Sequence, residues 1–248
     1  MTILAIIPAR YASTRFPGKP LIDIFGKSMI QRVFEQSSAA FEHVYIATDD
    51  ERIVQHAQSF TSNIVLTSNK HHSGTDRCAE ALTIISEQTG TFFDVVVNVQ
   101  GDEPFISPEQ LKLLVTAFNK DETKIATLIK VIEDETELFD VNKPKVVIDK
   151  NGKSLIFSRS TIPYLRNFPP NEWLSHHTFY KHIGLYAYRS SILKELTQLP
   201  ASNLEKAESL EQLRWLENGY DIQTVITNTE TISIDTPEDL KKLLHNKN

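Results

Sequence analysis

The chain has 248 residues, 40% of them hydrophobic and 23% charged, with a formal net charge of −6. That balance belongs to an ordinary globular protein, and the length allows one sizeable core or a core carrying a smaller subdomain. The net negative charge argues against a nonspecific nucleic-acid or membrane-surface binder, and Cys78, the single cysteine, excludes an intrachain disulfide.

Residues 3–7, all apolar, read as a buried strand. No apolar run approaches the length of a membrane span, and MTILAII meets Pro8 and Arg10 too soon for a signal-peptide core, so the expected location is the cytoplasm. The next stretch, RYASTRFPGKP at residues 10–20, sets Arg10, Arg15 and Lys19 together with no acidic residue among them. Three cations in a Gly- and Pro-containing loop after a strand can hold a polyphosphate, with loop amides donating hydrogen bonds. The bland alternative is a solvated basic turn.

Met29, Ile30, Val33 and Phe34 recur at helical spacing, which predicts a helix over 27–39. A strand is expected at 44–48, and Asp49 and Asp50 then offer cap-like oxygens to a helix containing Ile53, Val54 and Ala57. Residues 64–66 form a short strand. The helical stripe Cys78, Ala79, Ala81, Leu82 and Ile85 follows Thr75 and Asp76, and the thiol is expected to be a buried one rather than a nucleophile. Residues 95–99 are almost continuously apolar and β-branched, as in a central strand covered on both faces. They end at Gln100-Gly101-Asp102-Glu103-Pro104, and Ser107-Pro108-Glu109 starts another helix. With a strand at 125–131, this alternation predicts an α/β fold with a mostly parallel sheet and a ligand crevice at the strands' carboxyl ends.

The pattern then changes. A hairpin is expected from 145–148 and 154–157, an irregular stretch at 163–173, a strand at 180–188 and a helix over 208–218 ending at Gly219. A strand at 222–226 follows, and another at 232–234 leads into Asp235 and a last helix. Without an internal repeat or flexible linker, the chain reads as one domain over 1–248, with an insertion at about 134–188.

Asp102 and Asp235 each follow a predicted strand. Two such carboxylates can share a divalent cation while a triphosphate supplies further oxygens, for which Mg²⁺ is the natural choice; each can equally be a cap or turn residue. In His71-His72-Ser73-Gly74-Thr75-Asp76-Arg77, Ser73, Gly74 and Thr75 offer backbone and hydroxyl groups and Arg77 a charge. The paired histidines resemble a zinc cluster only superficially. His182 can contact a polar substrate or be a structural histidine. GxGxxG after the first strand, GxxxxGK[ST] and GxSxG are all missing, which removes the usual apparatus of dinucleotide oxidoreductases, P-loop ATPases and α/β-hydrolases. Nucleotidyl transfer suits the residues better, because it needs charge clamps, a cation and an aligned oxygen but no protein nucleophile.

IIPARYASTRFPGKPL, HHSGTDR, VNVQGDEPFI, FSRSTIPY, YKHIGLYAYR, LEKAESLEQLR and SIDTPEDL, in that order along nearly the whole chain, resemble the 3-deoxy-manno-octulosonate (Kdo) cytidylyltransferase family. The resemblance implies a nucleotide-diphospho-sugar-transferase-like, Rossmann-like α/β fold and a homodimer using the β-rich insertion. It implies a cytoplasmic enzyme that makes CMP-Kdo and diphosphate from CTP and Kdo for lipopolysaccharide synthesis. It further implies that Arg10, Ser13, Arg15 and Lys19 hold CTP phosphates, and that Ser73, Gly74 and Thr75 contact cytosine and ribose. It implies too that Arg77 and Gln100 lie near the nucleotide, that Asp102 and Asp235 bind Mg²⁺, and that Arg15, Lys19, Asp102 and Asp235 carry the catalysis. On the sugar side the same resemblance implies Arg159, as a fork on the Kdo carboxylate, together with His182, Tyr186, Glu211 and Gln212; His177 and Glu208 lie close to these in sequence. Phe16 stands where a leucine is familiar, and Ser233-Ile234 where Gly-Val is common, which touches pocket shape more than reaction type. The alternatives are a cytidylyltransferase for another 2-keto acid sugar, such as 8-amino-Kdo or a sialic acid, and a noncatalytic sugar-nucleotide sensor.

Overall fold

Strand β1 (Ile3–Ala9) is central: Leu4, Ala5, Ile6 and Ile7 are fully buried, as a continuous apolar run in a parallel sheet should be. The computed structural model describes residues 1–12, 16–71, 73–230 and 233–245, and divides the chain into two compact units, 1–112 with 231–248, and 113–230.

In the first unit, β2 (Asp23–Ile24) and β3 (Lys27–Ser28) form a small hairpin before α1 (Met29–Ala40). The helix expected from residue 27 starts at 29 because the Ser28 side chain caps it, accepting from the Gln31 amide. Next come β4 (His43–Thr48), α2 (Glu51–Ala57), β5 (Ile64–Leu66), α3 (Gly74–Thr89) and β6 (Val95–Asn98). The other four strands of this unit order as β6-β1-β4-β5, and every pairing among them is parallel. Cys78 is fully buried on α3, as expected. Helix α4 (Pro108–Val115) carries the chain across the boundary.

The second unit holds β7 (Ile125–Val131), α5 (Glu135–Leu138), β8 (Lys145–Ile148), β9 (Ser154–Ser158), α6 (Trp173–His176) and β10 (Tyr180–Arg189). It continues with α7 (Ser190–Gln198), α8 (Asn203–Glu208), α9 (Gln212–Glu217) and β11 (Ile222–Ile226). Here β11 pairs with β7 in parallel, and β7, β10, β8 and β9 follow in antiparallel order. The expected insertion at about 134–188 lies inside this unit. Helix α10 (Pro237–His245) belongs to the first unit again.

Two expectations are corrected. The single helix over 208–218 is two helices, α8 and α9, because Ser202 and Glu205 start α8 early with a reciprocal cap and Ser209 turns left-handed at φ 52°. No strand forms at Ser233 and Ile234, where the Ile234 amide instead donates to the Asp102 carbonyl at 3.0 Å; Ile232 lies outside the described residues. Among the described residues, no helix is long and apolar enough to cross a membrane.

Candidate active site

Lys19 opens a 3-10 turn, Lys19–Leu21, whose first turn contains Pro20 and whose preceding residue, Gly18, takes a left-handed φ of 73°. From there its ammonium donates to Asp102 Oδ2 at 2.8 Å and to Asp235 Oδ1 at 3.1 Å. Three distant stretches of sequence therefore meet at one charge. An apolar cluster beneath them explains how. Phe16 and Ile22 from the basic loop, Phe105 from the turn after β6, and Ile234, Leu240 and Leu243 from the C-terminal stretch pack with Ile24 and Met29. Asp102 is aimed by Gly101, since a methyl group there would stand 2.8 Å from the Pro8 carbonyl oxygen. Only glycine lets the turn lie that close to β1.

The second candidate loop is built on the start of α3. Ser73 Oγ accepts from the Asp76 amide and Asp76 Oδ2 from the Ser73 amide, each at 3.1 Å, closing a reciprocal cap. Gly74 lies against Pro8 and Asn98, with 3.3 Å between a notional methyl and Pro8 Cγ. Thr75 is buried in the same turn, and Gln100 is half-buried just past β6. Arg10 NH2 donates to the Ser73 carbonyl at 3.2 Å, tying the two loops together. Burial, and then the neighbouring Arg77 charge, hold the Arg10 guanidinium below its usual pKa.

Arg77 itself departs from the expectation of a nucleotide contact. It is 0% exposed, with NH1 donating to Thr67 Oγ1 and NH2 3.0 Å from Asp49 Oδ2. Its place is beneath the loop, as a buried counter-charge. His71 is paired with Glu80, which also accepts the Ser68 amide at 2.8 Å. Ser13, Arg15 and His72 lie outside the described residues. No group of three or more metal-ligating side chains occurs among the described residues, so a cation here would rest on two carboxylates and the ligand's own oxygens.

The sugar-side candidates all fall in the second unit. His182, on β10, has Nε2 3.0 Å from Thr127 Oγ1, and Thr127 Oγ1 also lies 2.8 Å from the Leu185 carbonyl. The hydroxyl donates its one proton to that carbonyl and so accepts from His182 Nε2–H, which leaves Nδ1 as an acceptor. Desolvation pulls the His182 pKa down to about 3 and keeps the ring neutral. Tyr186, the first paired residue after a register shift in β10, packs on His182 and edge-on to Trp215 at 5.0 Å. Burial, then the nearby Tyr188 and Glu211, push its hydroxyl well above the ordinary value. Glu211 and Gln212 begin α9; Gln212 is 4% exposed, and its Nε2 has no partner among the described residues.

Arg159 is a second departure. Its Nε donates to the Glu208 carbonyl at 2.6 Å, NH1 to Val141 at 3.0 Å and NH2 to Ser209 at 3.4 Å. The fork expected for a carboxylate is engaged with backbone and braces the turn between α8 and α9. Glu208 takes part in the same brace, accepting from Ser158 Oγ at 2.6 Å and the Arg159 amide at 2.9 Å. His177 is exposed and lies edge-on to Phe179.

The cytidylyltransferase family profile matches residues 4–226. The 3-deoxy-manno-octulosonate cytidylyltransferase of Parabacteroides distasonis is 57% identical, over 98% of this chain and 97% of its own. That of Thermodesulfovibrio yellowstonii is 46% identical, over 97% and 96%. A solved CMP:2-keto-3-deoxy-manno-octonic acid synthetase complexed with CTP superposes with a TM-score of 0.88, at 39% identity and full coverage of both chains. The 4-diphosphocytidyl-2C-methyl-D-erythritol synthase of Anaerococcus prevotii, 13% identical with a TM-score of 0.60, shares the fold. With its loops, its paired carboxylates and near-complete coverage by these relatives, the chain belongs to the family of 3-deoxy-manno-octulosonate cytidylyltransferases.

Proposed function

We propose that this enzyme transfers the cytidylyl group of CTP to the anomeric 2-hydroxyl of Kdo. The 2-oxygen attacks the α-phosphorus, the bond from the α-phosphorus to the oxygen bridging to the β-phosphate breaks, the hydroxyl proton passes to solvent water, and CMP-Kdo and diphosphate leave. The observation that carries the reading is the junction of Lys19 with Asp102 and Asp235. Two hard oxygen donors brought to one positive charge suit Mg²⁺, and Asp102 and Asp235 would hold it. When bound, the ion supplies positive charge to the triphosphate and lowers the pKa of a coordinated hydroxyl.

The chain's own residues do the rest. Lys19 and Arg10, with Arg15, oppose the charge that grows on the departing diphosphate. Ser73, Gly74, Thr75 and Gln100 receive the nucleoside, while Arg77 holds the loop from beneath. On the sugar, neutral His182 accepts from a hydroxyl through Nδ1, and Gln212 offers its buried amide. Tyr186 and Glu211 complete that set, and Arg159 fixes the turn that leads to it. The second unit exposes Tyr164 at 73%, Leu155 at 60% and Val141 at 58%, which supports a homodimer through this region. The enzyme would work in the cytoplasm, feeding lipopolysaccharide synthesis.

Diphosphate release from CTP and Mg²⁺, measured in parallel with Kdo, 8-amino-Kdo and a sialic acid, tests the reading. Release with Kdo, and CMP-Kdo in the product mass spectrum, is expected. Selective turnover of another sugar would move the substrate assignment, and silence with all three would leave a sugar-nucleotide sensor.

A further inference from the structure

The end of β4 leads into two consecutive aspartates, and each grips one arginine. Asp49 pairs with buried Arg77 at 3.0 Å. Asp50 takes Arg52 at two points, Nε to Oδ1 at 2.8 Å and NH2 to Oδ2 at 2.6 Å, while Oδ1 also accepts the Arg52 amide at 3.0 Å and caps α2. That fork aims the guanidinium. Its carbon lies 3.3 Å from the ring centroid of Tyr11, in the basic loop. The Tyr11 carbonyl accepts the Gly18 amide at 2.9 Å, drawing together two points of the loop seven positions apart. The ring lies so close to Gly18 that a methyl group there would stand 3.3 Å from Tyr11 Cζ and Oη. Lys19 is the next residue. One chain of contacts therefore runs from Asp50 through Arg52, Tyr11 and Gly18 to the ammonium shared by Asp102 and Asp235.

We infer that Arg52, aimed by Asp50, is a positioning residue for the nucleotide: it stacks on Tyr11 and holds the ring against Gly18, fixing the loop that presents Lys19. The inference rests on the proposed role of this loop in holding the CTP phosphates. Arg52 has a side chain 59% exposed and a partner two residues away, and ion pairs in such settings add little to folding stability. Losing it should therefore disturb the loop far more than the fold, which separates positioning from a merely structural role. The guanidinium is also the right group for the task, because a planar fork can bind a carboxylate edge-on while its face covers an aromatic ring, and an ammonium cannot do both.

The test uses the full-length enzyme, with steady-state kinetics in CTP at saturating Kdo and calorimetric titration of CTP without the sugar. For Arg52→Ala the CTP KM and Kd should rise about two- to fivefold, the size of one lost cation–π contact. Its kcat should stay within about twofold and its urea midpoint should match the parent, as expected for an exposed pair. Arg52→Lys should fall between the two. Tyr11→Ala should reproduce Arg52→Ala, Tyr11→Phe should recover CTP affinity, and the double Tyr11→Ala/Arg52→Ala should be no weaker than either single variant. Parent-like CTP affinity in Arg52→Ala, or effects that multiply in the double variant, would overturn the inference. A parent enzyme that does not bind CTP would instead remove the phosphate-loop reading itself, together with the clamp built on it.

Discussion

At Lys19, Asp102 and Asp235, three charges depend on one another, so the useful substitutions remove charge without removing shape. Asp102→Asn and Asp235→Asn should each lower kcat about a hundredfold or more in CTP turnover assays, since each takes an anionic oxygen from the proposed cation site. Gly101→Ala tests the aim of Asp102 from the backbone side. The new methyl meets the Pro8 carbonyl oxygen at 2.8 Å, and β1 is packed too closely to yield, so urea unfolding should show a loss of about 1–3 kcal/mol alongside a fall in kcat. His182 gives a pH prediction with a definite sign. In the unfolded chain it protonates near its ordinary 6.5, whereas in the fold it resists protonation until about 3. The unfolded state therefore binds more protons between those values, and stability falls as pH drops below about 6.5. His182→Gln should flatten that part of a pH series of urea melts. The sequence singled out Lys19, Asp102 and Asp235 by their place in loops beside apolar runs, where each could equally have been a turn or cap residue; the fold brings the three side chains together. The departures at Arg77 and Arg159 arose because composition does not say which way a side chain points. One signal for Arg77 was present: Arg77, Ala81 and Ile85 recur every fourth residue, the spacing of one helix face, and all three are buried.

The elements matter through what they press together. Helix α10 supplies Leu240 and Leu243 to the apolar cluster under Lys19, Asp102 and Asp235, so a helix carrying none of these charges sets their spacing. Leu240→Ala should cost about 1–2 kcal/mol, less than a fully buried leucine because the side chain is only partly covered, and should lower kcat although every polar group remains. Urea melts and CTP kinetics on the same preparation would check both effects. The long strands and helices α1 to α4 were readable from apolar period and flanking cap residues, whereas the short β2–β3 hairpin and helices α5, α6 and α7 were not. The break between α8 and α9 was not, because it depends on a left-handed Ser209 and on Arg159, 50 positions earlier in the chain, donating to its carbonyl. Likewise, the C-terminal β-branched run reads as a strand by composition, yet the Ile234 amide bonds to the turn after β6 instead.

On the scale of the whole molecule, one unit orders its strands all-parallel as β6-β1-β4-β5, and the other, which begins at residue 113, mixes parallel and antiparallel pairings. The aromatic and aliphatic side chains that the second unit leaves exposed give a prediction for assembly. Light scattering should return twice the 28.2 kDa chain mass, and Leu155→Glu with Tyr164→Glu should return the single chain, because two buried carboxylates facing apolar partners are costly. Cys78 adds something practical. The only thiol in the protein is fully buried on α3, in the unit that holds Lys19, Asp102 and Asp235. A thiol-specific dye can therefore react only when that unit opens, and its rate becomes a stopwatch for opening under native conditions. Saturating CTP should slow the stopwatch by the factor its own affinity dictates, so the chain reports nucleotide binding through a residue that never meets the nucleotide.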